Sequence, residues 1–288
     1  MKKILVGVDA SHASHAALGW AGRLGDALRA DVVAATVFSP EGSEIDPARY
    51  QALEAEVEQR LRTRWSTPDG ATAPYRSLLL AGSADGLLDA ADREDADLIV
   101  LGSEGHSRFA NLHIGSLAHH LAHYTKRPLA IVPEAAADRG FARMVVGLDG
   151  SQDSDDAAHW CAGVAAGIDA HVVAVYALKP LIEWVPESDP HSWAQASERE
   201  LDRWAGPLRD AGVSFETRLV KIPHPVDALA RTVTATDADL VVVGARGIGG
   251  FLGLRVGRVP LQLVHHTDVP VVMVPANREG PGAASTDP

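Results

Sequence analysis

Residues 97–133 read DLIVLGSEGHSRFANLHIGSLAHHLAHYTKRPLAIVP. The apolar run Leu98 to Leu101 has the length and composition of a buried parallel strand. It ends in a glycine-bearing loop, Gly102-Ser103-Glu104-Gly105. A second glycine turn, Gly115-Ser116, opens an amphipathic helix, and a further apolar run follows between Pro128 and Pro133. Strand, glycine loop, helix start and strand make an anion cradle: glycines let backbone N–H groups approach a phosphate, and the helix start adds its unpaired donors and dipole.

The same plan returns 142 residues later, where 239–275 read DLVVVGARGIGGFLGLRVGRVPLQLVHHTDVPVVMVP. Gly102, Gly105 and Gly115 have counterparts in Gly244, Gly247 and Gly257. Near the start of each half the offset is 140, relating Asp9 to Asp149, Trp20 to Trp160 and Pro40 to Pro180. The chain is therefore a tandem repeat, expected to form domains at 1–135 and 142–276, with residues 134–141 as linker and 277–288 as a small, polar, disordered tail.

Each repeat alternates strand and helix. In the first, Ile4 to Asp9 reads as a strand ending in a carboxylate, and Ser11 or Ser14 as the cap of the next helix. On that helix Ala17, Trp20, Ala21, Leu24 and Leu28 share a face. Strands follow at about 31–38 and 75–80, with helices near 47–65 and 82–95. This alternation predicts an α/β fold with an open parallel sheet and helices on both faces.

Length and composition bound the function. The 288 residues suffice for two ordinary domains, and the net charge of −12 gives no footprint for nucleic acid or anionic lipid. The lone Cys161 cannot form an intrachain disulfide, and Asp9 interrupts the N-terminal apolar run before it reaches the length of a signal or membrane segment. A cytoplasmic protein is expected.

The glycine spacing G-x2-G-x9-G alone is a weak signal; its position between strand and helix, and its repetition, make it a strong one. Here the chain resembles the universal stress protein family, whose ATP-binding members carry G-x2-G-x9-G-[S/T] after the fourth strand and an Asp at the tip of the first. The resemblance covers nearly the whole chain twice. It implies two doubly wound domains of strand order 3-2-1-4-5, with nucleotide at the carboxyl ends of the strands. It also implies that Asp9 faces the ribose and adenine side, with Ala10 and Ser11 among the nucleotide-binding residues, and that backbone near Val37 meets the adenine edge. The N–H groups of Gly102, Ser103, Gly105, His106, Gly115, Ser116 and Leu117 would then hold phosphates, with Ser116 Oγ on a terminal oxygen.

The second half carries the corresponding candidates Asp149, Ala177, Gly244, Gly247 and Gly257, but Arg258 stands where the hydroxyl residue is expected. An arginine there either grips phosphate or fills the pocket. The implied ligand is ATP, alone or with Mg²⁺. The implied role is stress-response regulation through nucleotide occupancy and an unidentified protein partner, with no catalytic residues and at most slow hydrolysis. A nucleotide-free scaffold and an adenylyl-transferring enzyme are the alternatives. The resemblance also implies that the last strands of two domains pair edge to edge; here Leu129–Val132 and Val271–Val274, both apolar edges, are suited to pair within one chain as a pseudo-dimer, and two chains are candidates for a homodimer.

Other motifs point to nothing comparable. Gly247 to Gly253 misses the dinucleotide fingerprint by one place, and no Walker glycine loop occurs. Leu101 breaks a G-x-S-x-G elbow. His119 and His123 share a helix face, but the arrangement reads as surface or interface histidines, with no metal site. Asp153, Asp155 and Asp156 read as dipole-favouring residues at a helix start. Trp20 and Trp160 read as core.

Overall fold

The computed structural model describes residues 1–9, 11–38, 51–52, 55–56, 59, 75–81, 84–103, 115–178, 190–248 and 256–276. Strands are β1 (Lys3–Gly7), β2 (Asp31–Phe38), β3 (Tyr75–Ala81), β4 (Leu98–Gly102), β5 (Leu129–Val132), β6 (Arg143–Gly147), β7 (His171–Ala177), β8 (Phe215–Val220), β9 (Leu240–Gly244) and β10 (Val271–Val274). Helices are α1 (His12–Leu28), α2 (Ala84–Arg93), α3 (Ser116–Tyr124), α4 (Gln152–Ile168), α5 (Pro190–Trp204), α6 (Gly206–Asp210), α7 (Pro225–Thr236) and α8 (Arg258–His266). Of the helix expected near 47–65, the described residues 51, 52, 55, 56 and 59 are helical, and the remainder lies outside the described residues.

All ten strands form one sheet in the order β3-β2-β1-β4-β5-β10-β9-β6-β7-β8. Within each half every pairing is parallel and the order is the expected 3-2-1-4-5. The halves join where β5 and β10 run antiparallel, with Ile131 opposite Val271, Ala130 opposite Val272 and Leu129 opposite Met273. Two apolar edges thus cover each other within one chain, which removes a template for aggregation.

Alternation along the strands divides the core between the two faces. Ile4, Val6 and Val8 pack with α1, α4 and the Leu201–Leu208 region; Leu5, Ile99 and Leu101 pack with α2 and α3, continuing into α7 and α8. Trp20 is fully buried, whereas Trp160 packs against the core while remaining partly exposed. Cys161 is buried, and burial raises its thiol pKa far above the ordinary range.

The aspartates that open the two signature stretches have a structural task. Asp97 accepts the N–H of Lys3 at 2.9 Å and donates its own N–H to the Lys3 carbonyl. Asp239 does the same with Arg143. Each carboxylate therefore fixes where the first strand meets the fourth.

Residues 134–141 are more than a tether. Glu134–Ala136 form a turn of 3₁₀ helix, Ala136 is buried, and the Arg23 guanidinium donates to the carbonyls of Ala137 and Arg139. Phe141 meets Trp20 edge-on with ring centroids 5.5 Å apart. Absence of apolar periodicity hid these contacts, since only two side chains carry the packing.

Candidate functional site at the carboxyl ends of the strands

In a sheet of order 3-2-1-4-5, the crossovers from β1 and from β4 lead to opposite faces. This leaves a crevice at their carboxyl ends. Of the first-half residues that the sequence singles out, Asp9, Ser11, Val37, Gly102, Ser103, Gly115, Ser116 and Leu117 are described, and they lie at the carboxyl ends of β1, β2 and β4 or at the helix starts that follow.

Ser11, rather than Ser14, is the cap of α1. Its side chain accepts the Ser14 N–H at 3.1 Å, while Ser14 is buried with its hydroxyl donating to the Ser11 carbonyl. Asp9 is exposed at the tip of β1, and its carboxylate accepts the Ser11 N–H at 3.1 Å. The turn holds this carboxylate at the mouth of the crevice. β2 extends beyond β1. The last registered pair is Gly7 with Ala35, and the Val8 N–H donates to the Ala35 carbonyl. Backbone groups two residues apart on a strand point the same way. The N–H and C=O of Val37 therefore point toward the side where β1 has already ended, a donor–acceptor pair suited to a heterocycle edge.

Two of the expected phosphate donors are used internally. The Ser103 N–H donates to the Val132 carbonyl at 2.9 Å, and the Gly115 N–H donates to the Ser103 carbonyl at 2.9 Å. These bonds place the start of α3 against the end of β4. Gly102 is a packing glycine: a Cβ there would lie 2.5 Å from the Ala13 carbonyl carbon. Ser116 and Leu117 are in the first turn of α3, where no helical carbonyl reaches their N–H groups, and Gly115 supplies no side-chain cap. Ser116 is exposed. Ala10, Gly105 and His106 lie outside the described residues.

The second half repeats this frame and fills it. Val175 accepts the Leu148 N–H, so the backbone of Ala177 faces the gap beyond β6 as Val37 does beyond β1. Gly244 repeats the close approach, now to the Asp153 carbonyl carbon at 2.6 Å. The Asp149 carboxylate, however, accepts the Ser151 N–H at 3.0 Å, the Ser151 hydroxyl at 2.6 Å and the Ile248 N–H at 3.0 Å. A Cβ on Gly247 would collide with that carboxylate. Asp153 is buried, accepts the Arg246 N–H at 3.2 Å, and lies 3.5 Å from the Arg246 Nε. The Ser151 hydroxyl oxygen also lies 3.3 Å from the Arg246 carbonyl oxygen. The start of α8 has Arg258 and Val259 beyond Gly257, but Pro260 removes the third N–H of the turn.

Asp153 was expected only to favour the helix dipole. A signal for its larger role lies in the paired halves: Asp153 and Arg246 occupy the positions of Ala13 and Glu104. An acid appears in the second half together with a base. Trp204 packs flat on Gly150, whose φ of 80° and missing Cβ admit the ring, and it meets Tyr176 edge-on at 5.1 Å. Burial, and then the Asp149 charge, raise the Tyr176 pKa.

On α3 the histidines lie behind the helix start. His120 is 2.9 Å from an Asp85 carboxylate oxygen, and the His119 and His123 rings stand edge-on at 4.5 Å. A groove between α5 and β8, lined by Glu198, Arg199, Asp202 and Thr217 among others, holds none of the motif residues.

A doubly wound parallel sheet of order 3-2-1-4-5, present twice with a glycine at the end of each fourth strand, defines a tandem α/β protein. The model of the universal stress protein family matches residues 1–133 and again 140–275, and the chain belongs to that family. It is 29% identical to a universal stress protein of Mycobacterium tuberculosis over 94% of both chains. It is 27% identical to one of Mycolicibacterium smegmatis, over 94% of this chain and 96% of the other. The crystal structure of a universal stress protein from Archaeoglobus fulgidus superimposes with a TM-score of 0.71 at 18% identity, covering 95% of this chain and 98% of that one, a likeness of fold. No helix among the described residues is long and apolar enough to cross a membrane.

Proposed function

We propose that the chain is an ATP-binding stress-response regulator built from units at 1–135 and 142–276, with the nucleotide taken up by the first. The observation that carries this reading is a convergence at one crevice. It is supported by the Asp9 carboxylate at the tip of β1, the outward backbone pair of Val37 on the neighbouring β2, and the uncapped N–H groups of Ser116 and Leu117 after β4, all at the carboxyl ends of adjacent strands. Asp9 suits ribose hydroxyls, since it would repel phosphate. The helix start suits phosphate, since its donors and dipole favour an anion. Ser103 and Gly115 act by positioning, their N–H groups being used within the fold. ATP, with Mg²⁺ as a variable of the assay, is the ligand to test; Asp9, Ala10, Ser11, Val37, Gly105, His106, Ser116 and Leu117 are the residues proposed to meet it.

In this reading the protein acts by binding, in the cytoplasm, and occupancy of the loops alters a surface read by a partner protein or a second copy. Mass spectrometry of ligand released from gently purified protein, followed by thermal shift with ATP, tests it. Co-purified adenine nucleotide and a raised melting temperature support the proposal. Empty protein with no shift favours the scaffold reading, and pyrophosphate release on incubation with ATP favours adenylyl transfer.

A further inference from the structure

We propose that the second half is a self-liganded copy of the cradle, and that Asp153 decides which half admits a triphosphate. This rests on the reading that the first half binds ATP through the same frame.

A cradle of main-chain donors binds whichever anion reaches it with the better geometry. In the second half that anion is already part of the chain. Asp149 holds the Ile248 N–H, and Asp153 holds both the Arg246 N–H and its guanidinium. Glycine at 247 leaves room for a close oxygen, and the Asp149 oxygen occupies that room. The loop from β9 is thereby closed onto the turn after β6, with the Ser151 hydroxyl, bonded to Asp149, 3.3 Å from the Arg246 carbonyl. A triphosphate entering here would have to displace two carboxylates, one of them buried, and would meet their charge.

Asp149 does not distinguish the halves, because Asp9 stands at its equivalent. Asp153 does: Ala13 is its counterpart, and the partner base Arg246 is replaced there by Glu104. The two exchanges are linked in sign. Asp153 faces a base, whereas the residue equivalent to that base in the first half, Glu104, is itself an acid. Pro260, lacking the N–H that Ala118 retains, removes a further donor from the second half. Asp153 acts through the loop and is a specificity-determining residue.

The test uses the full chain and ATP as the probe. Isothermal titration should count one ATP per wild-type chain, none for Gly115→Glu, and one again for Gly115→Glu combined with Asp153→Ala. Two ATP per wild-type chain would overturn the proposal, as would no recovery of a site in the folded double variant. A wild-type chain with no ATP, beside a double variant with one, would uphold Asp153 as the gate and refute the first-half reading. Hydrogen exchange without nucleotide gives an independent check. The Arg246 and Ile248 amides should exchange slowly in wild type, and the Arg246 amide at least 10-fold faster in Asp153→Ala. Fast exchange in wild type would overturn the proposal whether or not the variants fold.

Discussion

The Asp153 carboxylate and the Arg246 guanidinium stand 3.5 Å apart across 93 residues of chain, one side chain 4% exposed and the other 20%. Removing one member of such a pair leaves a charge stranded from water. Arg246→Ala should therefore destabilise the protein by about 3–5 kcal/mol. Arg231→Ala, at an exposed helix position, should change stability by no more than about 0.5 kcal/mol. Urea denaturation of both variants checks the contrast.

Gly102 and Gly244 allow the strand tip to touch the helix start. Alanine at either position would press a Cβ into backbone at 2.5 or 2.6 Å, which no rotamer can relieve. Each substitution should cost about 1–3 kcal/mol. Gly163, exposed inside α4 with nothing within 4 Å of an added Cβ, is the control. Gly163→Ala should stabilise by up to about 1 kcal/mol through helix propensity. Thermal melts of the three variants measure the difference in sign.

Gly115 has φ −61° and ψ 153°, a conformation open to any residue. Gly115→Glu should therefore fold, and its carboxylate should compete for the start of α3. ATP affinity should fall by at least 100-fold, read by titration calorimetry, with far-UV circular dichroism unchanged. Retained affinity would remove α3 from the binding site.

The duplication was legible because buried parallel strands read as short apolar runs, and the same runs recur at a fixed offset; the strand order followed from the resemblance to the family. The β5–β10 seam followed from the resemblance, in which last-strand edges pair, and the apolar Leu-Ala-Ile-Val edge that needs a cover agrees with it. The second-half closure was not, since hydrogen bonds between a helix start and a loop 93 residues away leave no periodicity. Nor does sequence reveal that Ser103 donates to Val132 and Gly115 to Ser103, because main-chain bonding depends on register. The motif glycines were recognised, but the close packing of Gly102 on the Ala13 backbone was not.

His123 supplies a pH dependence. Burial first, then the nearby His119 and His120, hold its pKa below the ordinary 6.5. As pH falls, the unfolded chain takes up this proton before the folded one, so stability should be full above about 6.5 and decline as pH drops through that value toward the lower folded pKa. Glu94, held below 4.5 mainly by Arg76, loses its contribution only in more acid solution. His123→Gln should flatten the slope between pH 6.5 and 5, about 2 and 0.5 units above that carboxylate's ordinary value, in urea midpoints measured across the range. An unchanged slope would assign the dependence elsewhere.

The central claim is that the first half holds a triphosphate with main-chain donors at the start of α3. A crystal structure of the full chain with ATP tests it most directly. The account predicts phosphate oxygens within hydrogen-bond distance of the Ser116 and Leu117 nitrogens, and the adenine edge against the Val37 backbone. Nucleotide bound elsewhere, or an unoccupied crevice at saturating ATP, would contradict it.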